Sequence, residues 1–375
     1  MIPAQFIGLV GLGTMGLGIA QVFAAAGFTV IGTDGFGPAR ANAAARMAEA
    51  LAARVRSGKL AQADCEATLA RFTVASDLHG LAPCALIIEA IIENLEEKQA
   101  LFAQLEAIID PQTVLASNTS SIRVHQIAQG LQHPERALAL HFFNPAPAMK
   151  LVELAGHAGT SPAAAAIARA VCEAAGKVVI DCPDSPGFIV NRCARPYYGE
   201  ALALLDEGRS AAEIDGAMRA AGYPLGPFAL IDLIGADVNL AATTGLYDAM
   251  AGHPRYLPFP ALRAQVAKGD LGRKTGRGFV FPDAGLPAPP DAAAIALRIE
   301  STLANEAHWL LAQGGVTEAG IDTAMRLGLN FPHGPFEAMQ RHGRAAVLVE
   351  LARLRRLASP QKKPRYDAAP GLEPS

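Results

Sequence analysis

Short apolar runs alternate with longer amphipathic stretches in the first half of the chain, a pattern typical of alternating strands and helices. Residues 5–10 (Q-F-I-G-L-V) form an apolar run bounded by glycine, as expected of a strand buried in a parallel sheet. A helical run over 19–26 follows, and a second strand is predicted over 28–32. Further strands are predicted at four places: 85–90, 113–117, 137–140 and 151–154. This alternation predicts an α/β domain with a doubly wound parallel sheet.

The pattern changes after Pro186 to helices separated by glycine and proline. Two segments repeat, E-I-D-G-A-M-R-A-A-G-Y-P-L-G-P-F at 213–228 and G-I-D-T-A-M-R-L-G-L-N-F-P-H-G-P-F at 320–336. Asp215 aligns with Asp322, and one inserted residue brings the two G-P-F triplets together. The sequence therefore predicts two all-α helical domains that arose by internal duplication.

These patterns divide the chain of 375 residues into four expected segments, since one small core cannot hold so many residues. They are an α/β domain over 1–185, a first helical domain over 186–283, a second helical repeat over 291–358 and a flexible tail over 359–375. A proline-rich linker at 282–290 separates the two helical domains, and the tail is rich in proline and lysine.

Net charge, cysteine spacing and the length of apolar runs argue against several classes of function. The net charge of −3 argues against nucleic acid as the main partner. Five cysteines without C-x-x-C spacing indicate reduced thiols, and the N-terminus reaches a glycine loop within ten residues, which leaves no room for a signal peptide. Apolar runs are shorter than a membrane span, and the histidines lack metal-ligand spacing. We therefore expect a cytoplasmic protein without a membrane partner or a bound metal.

A glycine loop follows the first strand. It reads Gly11-Leu12-Gly13-Thr14-Met15-Gly16, a G-x-G-x-x-G between a predicted strand and a predicted helix. Gly11 allows the tight turn, Gly13 lets the backbone approach a pyrophosphate, and Gly16 permits close packing of helix on strand. The helix N-terminus then presents unpaired N–H groups to phosphates. This strand–loop–helix context predicts a Rossmann-type dinucleotide site that includes Thr14 and Met15.

Asp34 lies 18 residues past Gly16, at the end of the second predicted strand. A carboxylate there accepts hydrogen bonds from ribose hydroxyls and repels a 2′-phosphate, which favours NAD over NADP. The alternative is a glycine-rich turn without a ligand.

Further polar residues lie at strand ends, where open α/β sheets bind ligands. Glu89, Glu93 and Lys98 lie at or after the strand at 85–90. His141 follows the strand at 137–140, and Glu153 lies twelve residues on. The intervening N-P-A-P-A-M-K can turn the chain back, so that the carboxylate orients the imidazole as a general base. The arginine-rich stretch at 38–59 either meets phosphates of a large anionic substrate or is an ordinary solvated face.

Three motifs closely resemble those of the L-3-hydroxyacyl-CoA dehydrogenases, a family that includes 3-hydroxybutyryl-CoA dehydrogenases. They are S-N-T-S-S at 117–121, H-F-F-N-P-A-P-A-M-K-L-V-E at 141–153 and P-G-F-I-V-N-R at 186–192. The resemblance runs from about residue 5 to residue 281 and ends with L-G-R-K-T-G-R-G-F. It implies reversible, NAD-dependent oxidation of a 3-hydroxyacyl-CoA in fatty-acid, butanoyl or aromatic-degradation metabolism, with the thioester in a cleft between the Rossmann-type domain and the first helical domain.

The resemblance also implies residue roles. His141 is the base, Glu153 orients it, and Ser120 and Asn191 bind the reacting oxygens. Ser117, Thr119 and Ser121 remain alternatives to Ser120, since any of these hydroxyls can cap the loop. The residues implied to contact the cofactor are Glu93, Lys98, Asn144 and Lys274. Coenzyme A placement is less defined: where family members carry a hydroxyl this chain has Ala50, and Lys59 is the candidate lysine.

The second helical copy lacks an equivalent of P-G-F-I-V-N-R, so we expect it to be catalytically silent. Single-repeat members of the family pair through this domain. We therefore expect a monomer whose second copy fills the place of a partner subunit, or a homodimer. Two competing functions are a related dehydrogenase of a free hydroxy or sugar acid and a non-catalytic NAD-binding protein.

Overall fold

The computed structural model describes residues 5–282 and 287–372. Its contacts divide the chain into two compact units, Met1–Ser185 and Pro186–Ser375. Four residues of the predicted linker at 282–290, residues 283–286, lie outside the described residues, as do 373–375 of the predicted tail.

One sheet forms the centre of the first unit. The described residues contribute eight strands to it: β1 Phe6–Val10, β2 Thr29–Thr33, β3 Phe72–Val74, β4 Leu86–Glu89, β5 Val114–Ser117, β6 Ala137–Phe142, β7 Leu151–Gly156 and β8 Val178–Pro183. Their order is β3-β2-β1-β4-β5-β6-β7-β8. The order reverses at β1, as expected of a doubly wound sheet.

The strand pairing is parallel at every neighbouring pair except β6 and β7, which are antiparallel. The sheet is therefore mostly parallel, as predicted, with one antiparallel pair among the described strands. Only residues 143–150 connect the two strands. A parallel return needs a crossover of about a dozen residues or more, so this short connection allows only an antiparallel hairpin.

The sequence analysis missed the two edge strands. β3 has only three residues, and in β8 exposed and buried positions mix. An edge strand is covered less completely than a central one, so neither segment has the continuous apolar run that marks the central strands.

Six helices of the described residues cover the sheet: α1 Thr14–Ala25, α2 Gly37–Arg56, α3 Gln62–Ala70, α4 Leu95–Glu106, α5 Val124–Ile127 and α6 Pro162–Ala174. The core between sheet and helices is aliphatic and aromatic, with Ile7, Leu9, Phe23 and Leu140 fully buried. Burial of these side chains contributes about 1.5–3 kcal/mol each and holds the strand ends in fixed positions.

The second unit is helical. Its described helices are α7 Val190–Cys193, α8 Arg195–Asp206, α9 Ala211–Ala220, α10 Pro227–Ile234, α11 Ala236–Ala249, α12 Pro260–Ala267, α13 Ala292–Leu311, α14 Glu318–Leu329, α15 Pro335–His342 and α16 Arg344–Leu357. Within the described parts of the chain, no single helix is long and apolar enough to cross a membrane; α10 and α11 reach that length and composition only as a pair bent by 101°.

The duplicated segments form the same local structure twice. Asp215 accepts hydrogen bonds from two N–H groups at the start of α10 (2.9 and 2.8 Å), and Asp322 does the same at the start of α15 (2.9 and 3.2 Å). A Cβ on Gly226 or Gly334 would lie 2.4 or 2.1 Å from the aspartate concerned. The G-P-F triplet therefore recurs because its glycine lets each helix start directly on the carboxylate. Since α13 packs against α8 and α9, the two repeats form one packed unit.

The prediction of a flexible tail is wrong for residues 359–372. This segment contains a 3-10 helix, Lys363–Tyr366, and its Ala369 and Leu372 are fully buried. Arg365 Nε donates to the fully buried Glu200 (3.1 Å), and the Tyr366 hydroxyl donates to the same carboxylate (3.0 Å). A buried carboxylate needs such partners, which a composition rich in proline and lysine does not reveal.

Candidate active site

The glycine loop between β1 and α1 has the geometry of a phosphate cradle. Gly11 has a φ of +94°, which favours glycine, and its N–H donates to the Thr33 carbonyl (2.9 Å). A Cβ on Gly16 would lie 1.7 Å from the Gly11 carbonyl oxygen. A Cβ on Gly13 would meet no atom of the described residues within 4 Å, so the space there is open. Exposed backbone at Gly13 and the start of α1 therefore fit the pyrophosphate of a dinucleotide.

Asp34 at the end of β2 holds this loop. Its carboxylate accepts hydrogen bonds from the N–H groups of Leu12 (2.7 Å) and Phe36 (2.8 Å). Arg40 donates to the Asp34 carbonyl (2.5 Å), and Arg46 donates to the Leu12 carbonyl (2.9 Å). These two arginines of the basic stretch therefore stabilise the nucleotide loop from α2. This role differs from both alternatives considered for the stretch, which were contact with substrate phosphates and an ordinary solvated face.

Glu93 organises the S-N-T-S-S loop that follows β5. Its Oε1 accepts hydrogen bonds from the Thr119 hydroxyl (2.6 Å), the Ser121 hydroxyl (2.9 Å) and the backbone N–H groups of Ser120 (3.0 Å) and Ser121 (3.1 Å). Burial by itself would raise the pKa of Glu93, but Lys98 and these hydrogen bonds outweigh it and hold the pKa below its ordinary value. The ionised carboxylate therefore fixes the backbone at Ser120.

Lys98 lies beneath this loop with a side chain that is 1% exposed. Its Nζ is 2.7 Å from Glu89 Oε1 and 3.4 Å from Glu93 Oε2. The Ser117 hydroxyl donates to Glu89 as well. These contacts give Ser117, like Thr119 and Ser121, a part in holding the loop, while the role of Ser120 stays a prediction. The lysine thus links the ends of β4 and β5 through two carboxylates.

His141 and Glu153 face each other across the β6–β7 hairpin. They are directly paired in the antiparallel register, so both side chains lie on one face of the sheet. His141 Nδ1 is 2.7 Å from Glu153 Oε2, and the exposed fraction is 7% for the histidine and 0% for the glutamate. The Phe143 ring lies 4.4 Å from the imidazole, measured between ring centroids. The pair is therefore a buried imidazole with its own orienting carboxylate.

Two further residues hold this hairpin in place, and the sequence analysis missed both. Lys177 Nζ donates to the carbonyls of Ala146 (2.6 Å) and Met149 (2.7 Å), and burial lowers the pKa of this lysine. Asn118 accepts the N–H of Phe142 (2.8 Å). Asn118 lies inside the quoted S-N-T-S-S motif and could have been found there. Lys177 follows an A-A-G turn, where a lysine has no signal that separates it from a surface residue.

The remaining predicted residues of the first unit lie on its surface. Asn144 is exposed between β6 and β7, Thr14 is exposed at the start of α1, and Lys59 is exposed beyond the end of α2. Met15 is half-buried. Their predicted ligand contacts stay predictions.

Asn191 and Lys274 belong to the second unit. Asn191 is half-buried in α7. Lys274 Nζ lies 2.5 and 2.6 Å from the two Asp237 oxygens, and its hydrogen bond lowers the pKa of this aspartate. Asp232 accepts the N–H groups of residues 279–281 (2.8, 2.8 and 2.9 Å) and so anchors the L-G-R-K-T-G-R-G-F segment.

Arg298 of the second repeat is the counterpart of Arg192 of the first. Arg192 Nε donates to Glu306 in the second repeat, and Arg298 Nε donates to Glu200 in the first. The Arg298 guanidinium donates to Glu200 (2.8 Å) and Glu207 (2.6 and 2.7 Å). It therefore serves in packing the two repeats together. Among the described residues, no group of three or more His, Cys, Asp or Glu side chains is arranged to hold a metal ion.

Comparison with known proteins identifies the family. The sequence model described as "3-hydroxyacyl-CoA dehydrogenase, NAD binding domain" matches residues 6–185, and that of the C-terminal domain matches 187–281 and 295–372. The chain belongs to the 3-hydroxyacyl-CoA dehydrogenase family. This confirms the predicted family, the fold class with its helical C-terminal region, NAD as the cofactor and an NAD-dependent oxidoreductase as the enzyme class.

Relatives within this family carry several names. The 3-hydroxyadipyl-CoA dehydrogenase of Escherichia coli K12 is 46% identical over 283 residues, which cover 74% of this chain but only 59% of that protein. The human mitochondrial hydroxyacyl-coenzyme A dehydrogenase is 38% identical over 287 residues (74% of this chain and 91% of that protein). A crystal structure of 3-hydroxybutyryl-CoA dehydrogenase from E. coli K12 superposes with a TM-score of 0.90 at 33% identity, covering 98% of this chain and 97% of that one. The likeness to this last structure therefore includes both helical repeats.

Proposed function

We propose that this chain oxidises the 3-hydroxyl group of L-3-hydroxyacyl-CoA thioesters to a 3-keto group, with NAD as electron acceptor. The observation that carries the proposal is the buried contact of 2.7 Å between His141 and Glu153 at the end of β6. The carboxyl ends of β1, β4, β5 and β6 share one edge of the sheet, so the base and the nucleotide loop lie along the same edge.

His141 acts as the general base through Nε2, which takes the proton of the substrate hydroxyl. Glu153 accepts the Nδ1–H, fixes the tautomer and stabilises the imidazolium that forms. NAD, when bound, accepts the hydride that leaves C3. Together these events remove one proton from the hydroxyl and one hydride from C3 and leave a ketone. General-base assistance of this kind contributes about 10²- to 10⁴-fold in rate.

Ser120 and Asn191 bind the reacting oxygen in this proposal. The backbone of Ser120 is tied to Glu93 (3.0 Å), so its side chain starts from a fixed point. The Asn191 amide donates to the oxygen and polarises the carbonyl of the product. Both groups favour the charge that develops on this oxygen.

The cofactor is held by groups that fit its parts. Gly11, Gly13, Gly16 and the first residues of α1, Thr14 and Met15, meet the pyrophosphate, and Asp34 meets the ribose hydroxyls. Glu93, Lys98, Asn144 and Lys274 complete the proposed cofactor contacts. Because Lys98 is buried against Glu89 and Glu93, it acts mainly by keeping Glu93 ionised and in place.

The acyl group of the substrate distinguishes relatives within the family. Two of the relatives named above act, according to their names, on 3-hydroxyadipyl-CoA and on 3-hydroxybutyryl-CoA. We propose that the thioester is an acyl-CoA and that Lys59 contacts its phosphates. Initial rates of NADH formation with 3-hydroxyacyl-CoA substrates of increasing chain length, with and without a terminal carboxylate, define the preferred acyl group.

We also propose that the second repeat takes the place of a partner subunit. The packing of α13 on α8 and α9, and the pairing of Arg298 with Glu200, support this view. A mass near that of one chain, 39.0 kDa, is expected from light scattering of the full-length protein. A mass of two chains would instead show that dimerisation persists beside the duplication.

The central test replaces His141 by alanine. Turnover should fall by about 10²- to 10⁴-fold while NADH binding, measured by fluorescence, is retained. His133→Ala is the matched control, because His133 forms an exposed pair with Glu135 (3.3 Å). Unchanged turnover of His141→Ala removes this histidine as the base. Equal oxidation of a free 3-hydroxy acid and its thioester would contradict the substrate class.

A further inference from the structure

Arg192, the residue next to Asn191, is held by the second repeat. The arginine is 1% exposed, and its Nε donates to Glu306 Oε1 (2.7 Å). Another of its nitrogens donates to the Gln313 side chain (2.8 Å). Glu306 lies in α13 and Gln313 just beyond it, more than a hundred residues along the chain. The second repeat, which has no equivalent of Asn191, thus contacts Arg192, the residue that follows Asn191 in the first repeat.

Glu306 is itself fixed from three sides. It is fully buried, the Tyr256 hydroxyl donates to its Oε1 (2.6 Å), and Arg255 Nε lies 2.8 Å from its Oε2. A buried carboxylate with two cations and a hydroxyl around it has little freedom to move, because each displacement would leave a charge without a partner. It therefore forms a rigid anchor for Arg192.

Helix α7 leads directly into α8, with only Ala194 between them, so Asn191 lies in the first turn of this helical stretch. The first N–H groups of a helix have no partner within it, and contacts from outside help to hold this turn. On the other side, Arg195 Nε donates to the Asn191 carbonyl (2.9 Å), and the same guanidinium donates to the Thr243 hydroxyl (2.9 Å). Two neighbouring arginines thus hold the backbone around Asn191, one tied to α11 and the other to the second repeat.

We infer that Glu306 is a positioning residue: it fixes Arg192 and thereby aims the Asn191 amide at the reacting oxygen. The second repeat then contributes to catalysis through geometry, although it carries no catalytic group. This inference rests on the role proposed above for Asn191.

The test is a double-mutant cycle on the full-length protein, read as the single-turnover rate of NADH formation from (S)-3-hydroxybutyryl-CoA. Glu306→Gln keeps the shape of the side chain and removes its charge, and it should slow this step by about tenfold or more with NADH affinity unchanged. In an Asn191→Ala background the same change should cost less than about twofold, because residues that act as a unit are not additive. Glu207→Gln removes an ion pair between the repeats away from α7, and it should leave the rate unchanged.

Each outcome separates the inference from the proposed function. If Asn191→Ala slows the reaction but Glu306→Gln does not, only the positioning role is overturned. The same holds if the two losses multiply, since Glu306 then acts independently of Asn191. If Asn191→Ala keeps the full rate, the proposed role of Asn191 fails, and the inference fails with it. Should Glu306→Gln not fold, Gln313→Ala decides, since it removes one hydrogen bond to Arg192 at an exposed position: a rate loss absent from the Asn191→Ala background supports the inference, and no loss overturns it.

Discussion

Replacing Glu153 by glutamine is the most direct probe of the buried pair. Glutamine has the same shape, and its carbonyl oxygen can still accept the Nδ1–H of His141 at the distance of 2.7 Å seen for the carboxylate. The tautomer and the orientation of the ring are therefore kept. What is lost is the negative charge that stabilises the imidazolium once the substrate proton has moved.

The size of this loss follows from the geometry. With Nδ1 and Oε2 at 2.7 Å, the two charge centres lie roughly 4 Å apart, which corresponds to about 4 kcal/mol at an effective dielectric constant of about 20. The amide dipole retains part of it, so we expect a loss of about 2–4 kcal/mol. At about 1.4 kcal/mol per factor of ten, kcat should fall by about 30- to 1,000-fold.

The assay is NADH formation from 3-hydroxybutyryl-CoA under saturating NAD, together with NADH binding by fluorescence, which should not change. Glu135→Gln supplies the control, because it makes the same substitution in the exposed pair with His133. A Glu153→Gln enzyme within about threefold of the unmodified protein would correspond to under about 1 kcal/mol and would refute charge stabilisation by this residue.

Three more predictions concern the cofactor side. Asp34→Asn should lower kcat/KM for NAD and relax the discrimination against NADP, measured with both coenzymes; unchanged discrimination would rule out the carboxylate as its source. Gly13→Ala should weaken NADH binding without lowering Tm, whereas Gly16→Ala should lower Tm as well, because its Cβ would lie 1.7 Å from the Gly11 carbonyl. Since the pKa of Glu93 lies below its ordinary value of 4.5, the folded state binds fewer protons there than the unfolded state, and the contribution to stability is present above pH 4.5 and lost as pH falls through the folded value. Glu93→Gln should therefore lower Tm at pH 7, with a difference that shrinks on acidification, and a difference independent of pH contradicts this reasoning.

The nucleotide loop could be predicted closely because its determinants are local. Gly11, Gly13 and Gly16 lie within six residues, and the strand and helix around them carry their own periodicity. The predicted strand agrees with β1 to within one residue, and the predicted helical run ends within one residue of α1 but begins five residues after Thr14. Edge strand β3 was missed, because three half-covered residues carry too little pattern to separate a strand from a loop.

The catalytic pair could be predicted from the sequence only in part. Both His141 and Glu153 can be named from their spacing, but the distance between them depends on how residues 143–150 return. That return is antiparallel and held by Lys177, a residue with no signal of its own in the sequence. An error of one residue in the register would place Glu153 on the opposite face of the sheet.

The sequence by itself determined the order of the elements, the nucleotide loop, the duplication and the identity of the candidate base and its acid. Only the tertiary structure decided which buried charges meet, as in the pairing of Arg192 with Glu306 or of Arg365 in the supposed tail with Glu200. The physical reason is that burial requires a charged group to have a partner of opposite sign, whereas nothing local specifies which of many distant residues supplies it.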